Sequence, residues 1–348
     1  MINYREHLVL NKTTIREALA KLDVLAANAV VFVVDDSDKL IGSLTDGDVR
    51  RGLLKGVSIE ESVEAIIQDN PKFIRKDERD ILQIIDFRER NFKIIPVLDK
   101  DDRVINIVNF RYMRSYLPVD AVIMAGGRGQ RLRPLTDTTP KPLLKVGDKS
   151  IMEHNVDRLA LYGIDDFWFS VRYLGEQIED YFGDGSEKNC AISYVWEDEP
   201  LGTIGSVSKI KDFKHNHVLI SNSDVLTNLD YEAFYLDFIK QDADLAVVTI
   251  PYNVSIPYAV LETSNNHIID FKEKPTYTYY SNGGIYLMKK EVLDLIPENA
   301  LFNATDLMEK LIEMSKKVIS FPLIGYWLDV GKHEDFEKAQ VDINNIKF

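Results

Sequence analysis

The sequence predicts an α/β protein in two parts. A mostly parallel, Rossmann-like sheet fills the later two thirds of the chain, and a smaller duplicated unit precedes it. Three observations predict this. From residue 118 onward, short apolar runs alternate with capped amphipathic segments, the pattern of strands and helices in a parallel sheet. Within residues 1–117 a helix–strand–strand–helix order occurs twice, offset by 64 residues (Val33 to Val97). The charge divides at the same place: residues 1–117 hold 19 Lys/Arg and 20 Asp/Glu, and residues 118–348 hold 23 and 36. The boundary falls at Leu117-Pro118, after a basic, aromatic stretch.

Composition bounds the function. The 348 residues suffice for two domains with separate cores. A net charge of −14 argues against a nucleic-acid or anionic-membrane partner, but not against a small anion held by a few local donors. One cysteine, Cys190, excludes an intrachain disulfide framework and a cysteine-based zinc site. There is no apolar run of membrane-spanning length and no apolar core behind a basic flank at the start, so the expected address is the cytoplasm.

In the first part, Thr14-Ile15-Arg16-Glu17 is a capping box opening a helix, with Ile15, Ala18, Leu19 and Leu22 at helical spacing. Val30 to Val34 reads as a buried strand, Leu40 to Leu44 as a second strand, and Asp46 to Lys55 as a helix. The copy repeats the order: a helix from Asp77, then strands Ile94 to Leu98 and Val104 to Val108. This layout resembles a tandem pair of cystathionine β-synthase (CBS) domains, over residues 1–117. The resemblance implies a regulatory adenine or guanine nucleotide, with Thr45 and Asp48 of Gly42-Ser43-Leu44-Thr45-Asp46-Gly47-Asp48 on its phosphate and ribose. The second copy, Asn106 to Tyr112, lacks both residues, so one ligand site is expected. A packing and dimerisation module without ligand is the alternative, and the resemblance implies a homo-oligomer.

The second part opens with the apolar run Val119 to Met124, a buried strand, and then Ala125-Gly126-Gly127-Arg128-Gly129-Gln130-Arg131-Leu132-Arg133-Pro134-Leu135-Thr136. Glycines after a strand let backbone N–H groups approach a phosphate. Arg128, Arg131 and Arg133 reverse the local sign of an acidic region, and Lys141 is fixed between Pro140 and Pro142. The string is neither a dinucleotide fingerprint nor a P-loop, because the required Gly and GK[ST] are missing.

Taken with Pro140-Lys141-Pro142-Leu143, it resembles the signature of sugar-1-phosphate nucleotidyltransferases. The resemblance implies a GT-A-like version of the sheet and runs along the whole second part. Ser150 to Glu153 is a capping box for a helix ending near Gly163. Strands are expected at Phe167 to Val171, Ile192 to Trp196, Val218 to Ser221 and Leu245 to Ile250.

The family pattern implies roles for particular residues. Ala125, Gly126, Gly127 and Gly129, with Glu199, Gly202 and Thr203 of Glu199-Pro200-Leu201-Gly202-Thr203, would bind the nucleotide. Asp224 of Ser221-Asn222-Ser223-Asp224 and Asp329 of Trp327-Leu328-Asp329-Val330-Gly331 would hold Mg²⁺, although Ser223 stands where the family usually has Gly. Glu273 of Phe271-Lys272-Glu273-Lys274-Pro275, with Asn282 and Gly283, would bind the sugar. Arg131, Lys141 and Lys274 would hold the reacting phosphates. His215 and His217 are expected in an exposed polar loop, and Tyr277, Tyr279 and Tyr280 either line a sugar pocket or pack.

The implied reaction joins an NTP and a sugar 1-phosphate into an NDP-sugar with release of pyrophosphate. A CBS pair ahead of such a transferase resembles the guanylyltransferases of legionaminic acid synthesis. That implies GTP and glucosamine 1-phosphate or its N-acetyl form. The segment from Glu199 to Thr203 also resembles GDP-mannose and GDP-heptose enzymes, and UTP, dTTP and CTP stay open. A non-catalytic nucleotide-sugar sensor is the alternative of a different class.

Overall fold

The computed structural model describes residues 3–346 and divides into two units. The first comprises Met1–Pro118 with Leu159–Asp165 and Ser186–Cys190; the second comprises Val119–Arg158, Asp166–Gly185 and Ala191–Phe348.

The first unit contains β1 (Leu8–Leu10), α1 (Ile15–Leu25), β2 (Val30–Val34), β3 (Leu40–Thr45), α2 (Asp46–Leu54), β4 (Ile74–Arg75), α3 (Ile81–Glu89), β5 (Ile94–Leu98) and β6 (Val104–Asn109). They form two three-stranded sheets, β1-β2-β3 and β4-β5-β6. In each, the first pair is parallel and the second antiparallel. Each antiparallel pair is interrupted once, at Val33/Val34 and at Val97/Leu98. The Thr14 box forms as expected: the Thr14 hydroxyl accepts from Glu17 N–H, and the Glu17 carboxylate accepts from Thr14 N–H. One boundary moves. The second helix starts at Ile81 rather than near Asp77, because Asp80 is its cap and accepts from the N–H groups of Leu82 and Gln83.

The second unit contains β7 (Val119–Met124), the short ribbon β8 (Lys145–Val146) and β9 (Lys149–Ser150), α4 (Ile151–Leu161), β10 (Asp166–Val171), α5 (Gly175–Phe182), β11 (Ala191–Trp196), β12 (His217–Asn222), β13 (Val225–Thr227), α6 (Tyr231–Lys240), β14 (Leu245–Ser255), β15 (Val260–Ser264), β16 (His267–Lys272), β17 (Thr276–Lys289), α7 (Ala304–Glu313), β18 (Val318–Pro322), β19 (Trp327–Asp329) and α8 (His333–Asp342). Seven strands form one sheet in the order β11-β10-β7-β12-β17-β14-β18, in which only β17 runs against the rest. The chain therefore fills one side of β7 with β10 and β11, then crosses to the other side with β12. That reversal makes a crevice beyond the carboxyl ends of β7 and β12, where ligands bind in open α/β sheets.

The core justifies the strand assignments. Val122, Val218, Ile220, Leu245, Val247, Tyr286 and Met288 pack in one buried cluster with Leu307 and Leu311 of α7. Beyond Thr249 the pair β14/β17 leaves the core, and its residues are largely exposed as far as Tyr280. The pair continues as a two-stranded arm from the carboxyl edge, with Tyr252 opposite Tyr279 and Ser255 opposite Thr276.

The two histidines depart from expectation. His215 is buried, and its N–H donates to the Asp120 carboxylate. His217 begins β12, and burial pushes its imidazole down to about 4, helped by the nearby charges of Lys289 and His215. The apolar residues that follow draw the polar loop inward with the strand.

Candidate active site

The crevice at the head of β7 and β12 is a cavity of about 750 Å³ lined by Arg128 to Arg131, Lys141, Arg172, Pro200, Asp224, Asp329 and Gly331. Its size is that of a small-molecule site. The glycine loop forms its floor. Gly129 is left-handed, with φ +59°, and a Cβ there would lie 3.0 Å from both Lys141 Cβ and Thr136 Cγ2. The Thr136 hydroxyl donates to the Gly129 carbonyl at 2.9 Å. Gly127 instead faces open space, so its backbone is free to meet a ligand.

The two carboxylates expected from distant segments meet here. Asp224 lies in the short link between β12 and β13, and β13 pairs antiparallel with β19, setting Val225 opposite Asp329. Val330 N–H donates to the Asp224 carbonyl at 2.9 Å. Lys141 Nζ lies 2.5 Å from Asp224 Oδ2 and 4.0 Å from Asp329 Oδ1. Asp224 Oδ1 is buried without a hydrogen-bond partner among the described residues. Burial, together with the Asp224 charge, holds the Asp329 carboxyl above the usual carboxylate range, while Lys141 and Arg131 pull the other way. A buried, unpartnered carboxylate oxygen beside a second carboxyl is a hard-oxygen donor set that suits Mg²⁺.

Other expected residues lie around this centre or away from it. Asn282 and Gly283 sit at the root of the arm; the Gly283 carbonyl accepts from Trp327 Nε1 at 2.9 Å, two residues from Asp329. Glu273 and Lys274 are exposed on the arm and do not line the cavity; Lys274 is left-handed, with φ +44°. Tyr279 and Tyr280 are exposed on the same arm.

Gly202 has φ +81°, and a Cβ would lie 2.6 Å from the Phe302 carbonyl. Its neighbour Thr203 accepts at Oγ1 from Ala304 N–H, so its hydroxyl caps α7. Glu199 is exposed. Arg133 is drawn aside by Asp137 at 3.1 Å.

Three residues unremarked in the sequence shape the site. Glu197 is buried under Gly126: it accepts from the Ser170 hydroxyl and from Leu201 N–H, and a Cβ on Gly126 would lie 2.9 Å from its Oε1. The Tyr173 hydroxyl donates toward the carbonyls of Thr136 and Asp137 and tethers the loop. Arg172 follows β10 and lines the cavity. Its one sequence signal is a cation directly after an apolar strand.

In the first unit, Thr45 and Asp48 form a capping box. Asp48 accepts from Thr45 N–H at 2.9 Å and the Thr45 hydroxyl at 2.6 Å, and also from Gln68 and Arg51. These bonds outweigh its burial and hold its carboxyl below the usual range. A second cavity, about 540 Å³, is lined by Thr45, Asp46, Lys72, Lys93 and Arg111 among others.

Known proteins resemble both units. The CBS domain profile matches residues 8–55. A UTP–glucose-1-phosphate uridylyltransferase of Synechocystis is 30% identical over 239 residues, covering 63% of this chain and 62% of that protein. A D-glycero-alpha-D-manno-heptose 1-phosphate guanylyltransferase of Aneurinibacillus thermoaerophilus is 31% identical over 230 residues, covering 65% of this chain and 99% of that one. The match thus spans under two thirds of the Synechocystis protein and nearly all of the heptose enzyme. A solved Bacillus anthracis chain described as a glucose-1-phosphate thymidylyltransferase superposes with TM-score 0.54 at 25% identity, covering 66% of this chain and 97% of that chain. With its profile matching residues 120–346, over a glycine loop, a lysine and two converging carboxylates, the Nucleotidyl transferase family is the one to which this chain belongs.

Proposed function

We propose that this chain transfers a nucleoside monophosphate from an NTP, with GTP favoured, to a hexose 1-phosphate. Glucosamine 1-phosphate or its N-acetyl form is the favoured acceptor. The observation that carries the reading is the meeting of Lys141, Asp224 and Asp329 at the sheet's crevice beside the glycine loop. GTP draws support from the heptose guanylyltransferase, which matches along 99% of its length.

The chemistry brings two anions together, so the protein positions them and neutralises charge. Gly127 offers open backbone to the triphosphate, and Arg131 steadies the departing pyrophosphate. Lys141 holds the phosphate at which the bond changes. The family pattern assigns Lys274 to the sugar phosphate and Glu273, Asn282 and Gly283 to the sugar, although Glu273 and Lys274 stand outside the cavity lining. Glu199, Gly202 and Thr203, with Ala125, Gly126 and Gly129, bound the nucleotide. The sugar-phosphate oxygen attacks the α-phosphorus in line, that P–O bond forms, and the bond to pyrophosphate breaks. No general base is needed, because the sugar phosphate is already ionised at neutral pH. Asp224 and Asp329 would hold Mg²⁺, which supplies charge neutralisation when bound.

Residues 1–117 form a tandem CBS regulatory module in this reading, and residues 118–348 the transferase domain. The cavity that includes Thr45 takes a nucleotide, with Lys72, Lys93 and Arg111 as the cations available to its phosphate. Pyrophosphate release across four NTPs and a panel of sugar 1-phosphates tests the transferase reading. Turnover is expected with GTP and a hexosamine 1-phosphate, and none with any pair supports a sensor instead.

A further inference from the structure

Arg172 has no place in the reaction just described, yet it lines the same cavity. It follows β10, the strand beside β7, while Asp224 follows β12 on the other side. With neighbouring strands ~4.8 Å apart, Arg172 and Asp224 rise from strand ends about 10 Å apart.

The two sides differ in charge. Lys141 pairs with both carboxylates on the Asp224 side, and Arg131 acts on Asp329 there. On the Arg172 side lie the buried carboxylate of Glu197 and the ring of Pro200. Arg172 and Glu197 flank Gly126: a Cβ there would lie 3.5 Å from Arg172 Cβ and 2.9 Å from Glu197 Oε1. A phosphate beside that carboxylate would be repelled, whereas a neutral base would not. Arg172 has no acceptor among the described residues, and its Nε is buried without a partner. Its fork of donors is therefore uncommitted.

We propose that Arg172 is a specificity-determining residue that reads the nucleobase, donating two hydrogen bonds to the adjacent O6 and N7 acceptors of guanine. This rests on the nucleotidyl-transfer reading with GTP as donor. The paired acceptors exclude adenine, which presents an amino donor in place of O6. Uracil and thymine offer no such adjacent pair. Cytosine does, at O2 and N3, so CTP is the closest competitor.

The test measures binding and pyrophosphate release for GTP, ITP, 7-deaza-GTP, CTP and ATP, with wild type, Arg172→Ala and Arg172→Lys. Wild type is expected to bind ITP, which keeps O6 and N7, nearly as well as GTP. It should bind 7-deaza-GTP, which lacks N7, about tenfold more weakly. In Arg172→Ala the GTP affinity falls about tenfold or more and the 7-deaza penalty disappears. Arg172→Lys behaves like Ala, because an ammonium keeps the charge but not the fork. Three results overturn the proposal: equal losses for every NTP in Arg172→Ala with rescue by Lys, a 7-deaza penalty that survives the substitution, or a wild type that prefers another base. No turnover with any NTP overturns nucleotidyl transfer instead, and equilibrium binding of GTP against 7-deaza-GTP still decides the role of Arg172.

Discussion

Replacing Asp224 by Asn should separate stability from catalysis. The variant keeps the shape of a side chain whose exposure is 23% and removes its charge. Two electrostatic consequences then oppose each other. The pair with Lys141 at 2.5 Å is lost. A unit pair at about 4 Å with an effective dielectric near 20 attracts by about 4 kcal/mol before desolvation, and the desolvation cost of a partly buried pair offsets most of it. Against this, the repulsion between Asp224 and Asp329 disappears, and Lys141 can turn fully to Asp329, 4.0 Å away. The net change in stability should be about 1 kcal/mol or less, a melting shift of about 2–4 °C for a unit of this size. The Asp329 carboxyl, raised first by burial and then by the Asp224 charge, should also titrate lower once that charge is gone. Turnover should fall about a hundredfold or more, as when one preorganised charge stabiliser is removed. Steady-state pyrophosphate release at saturating Mg²⁺ and thermal unfolding followed by circular dichroism measure the two effects. Turnover within threefold of wild type would refute the placement of Asp224 in the reaction. A melting loss above 10 °C would instead show that the residue holds the fold.

Other expectations follow from the same geometry. Gly129→Ala puts a Cβ 3.0 Å from Lys141 in a left-handed residue, costing about 1–2 kcal/mol, and should lower both melting temperature and activity. Gly127→Ala meets no protein atom, so it should melt like wild type while raising KM for the NTP about tenfold, ~1.4 kcal/mol of lost approach; an unchanged KM would move the nucleotide off that backbone. His217, pushed down to about 4 by burial, stays neutral in the fold while the unfolded chain takes up a proton below about 6.5. Stability should therefore be full above that pH and fall as the pH drops toward 4, by about 2 kcal/mol after allowance for solvent. Melting curves from pH 7 to pH 4.5 check this, and His217→Gln should flatten the slope. Thr45→Ala removes half of a capping box and should cost about 1 kcal/mol. Calorimetry of the whole chain with AMP, ATP and GTP then asks whether the same change abolishes a nucleotide site.

The sheet was legible because its strands are apolar runs bounded by polar segments, and apolar periodicity reports burial. Val119 to Met124 and Val30 to Val34 are both found as read. The start of α3 was not legible, because Asp77 and Asp80 offer the same capping chemistry and only Asp80 is positioned to accept. His215 misled for a related reason: a polar loop reads as exposed, but its N–H bonds to Asp120 under the sheet. The motifs single out Lys141, Asp224 and Asp329, although no periodicity could show that β13 pairs with β19 and brings them together. Glu197 and Arg172 lacked any motif. Their places beside the glycine loop come from strand order, since β10 and β11 lie beside β7, and strand order is set by long-range packing.

The most direct test of nucleotidyl transfer follows the phosphorus atoms. GTP labelled at the α-phosphate is incubated with a hexosamine 1-phosphate, Mg²⁺ and the whole chain, and the products are separated. The label should enter a nucleotide-sugar in a one-to-one ratio with released pyrophosphate, and Asp224→Asn should slow both about a hundredfold or more. Label recovered only as GMP or GDP, or GTP left unconsumed with every sugar 1-phosphate, would contradict it.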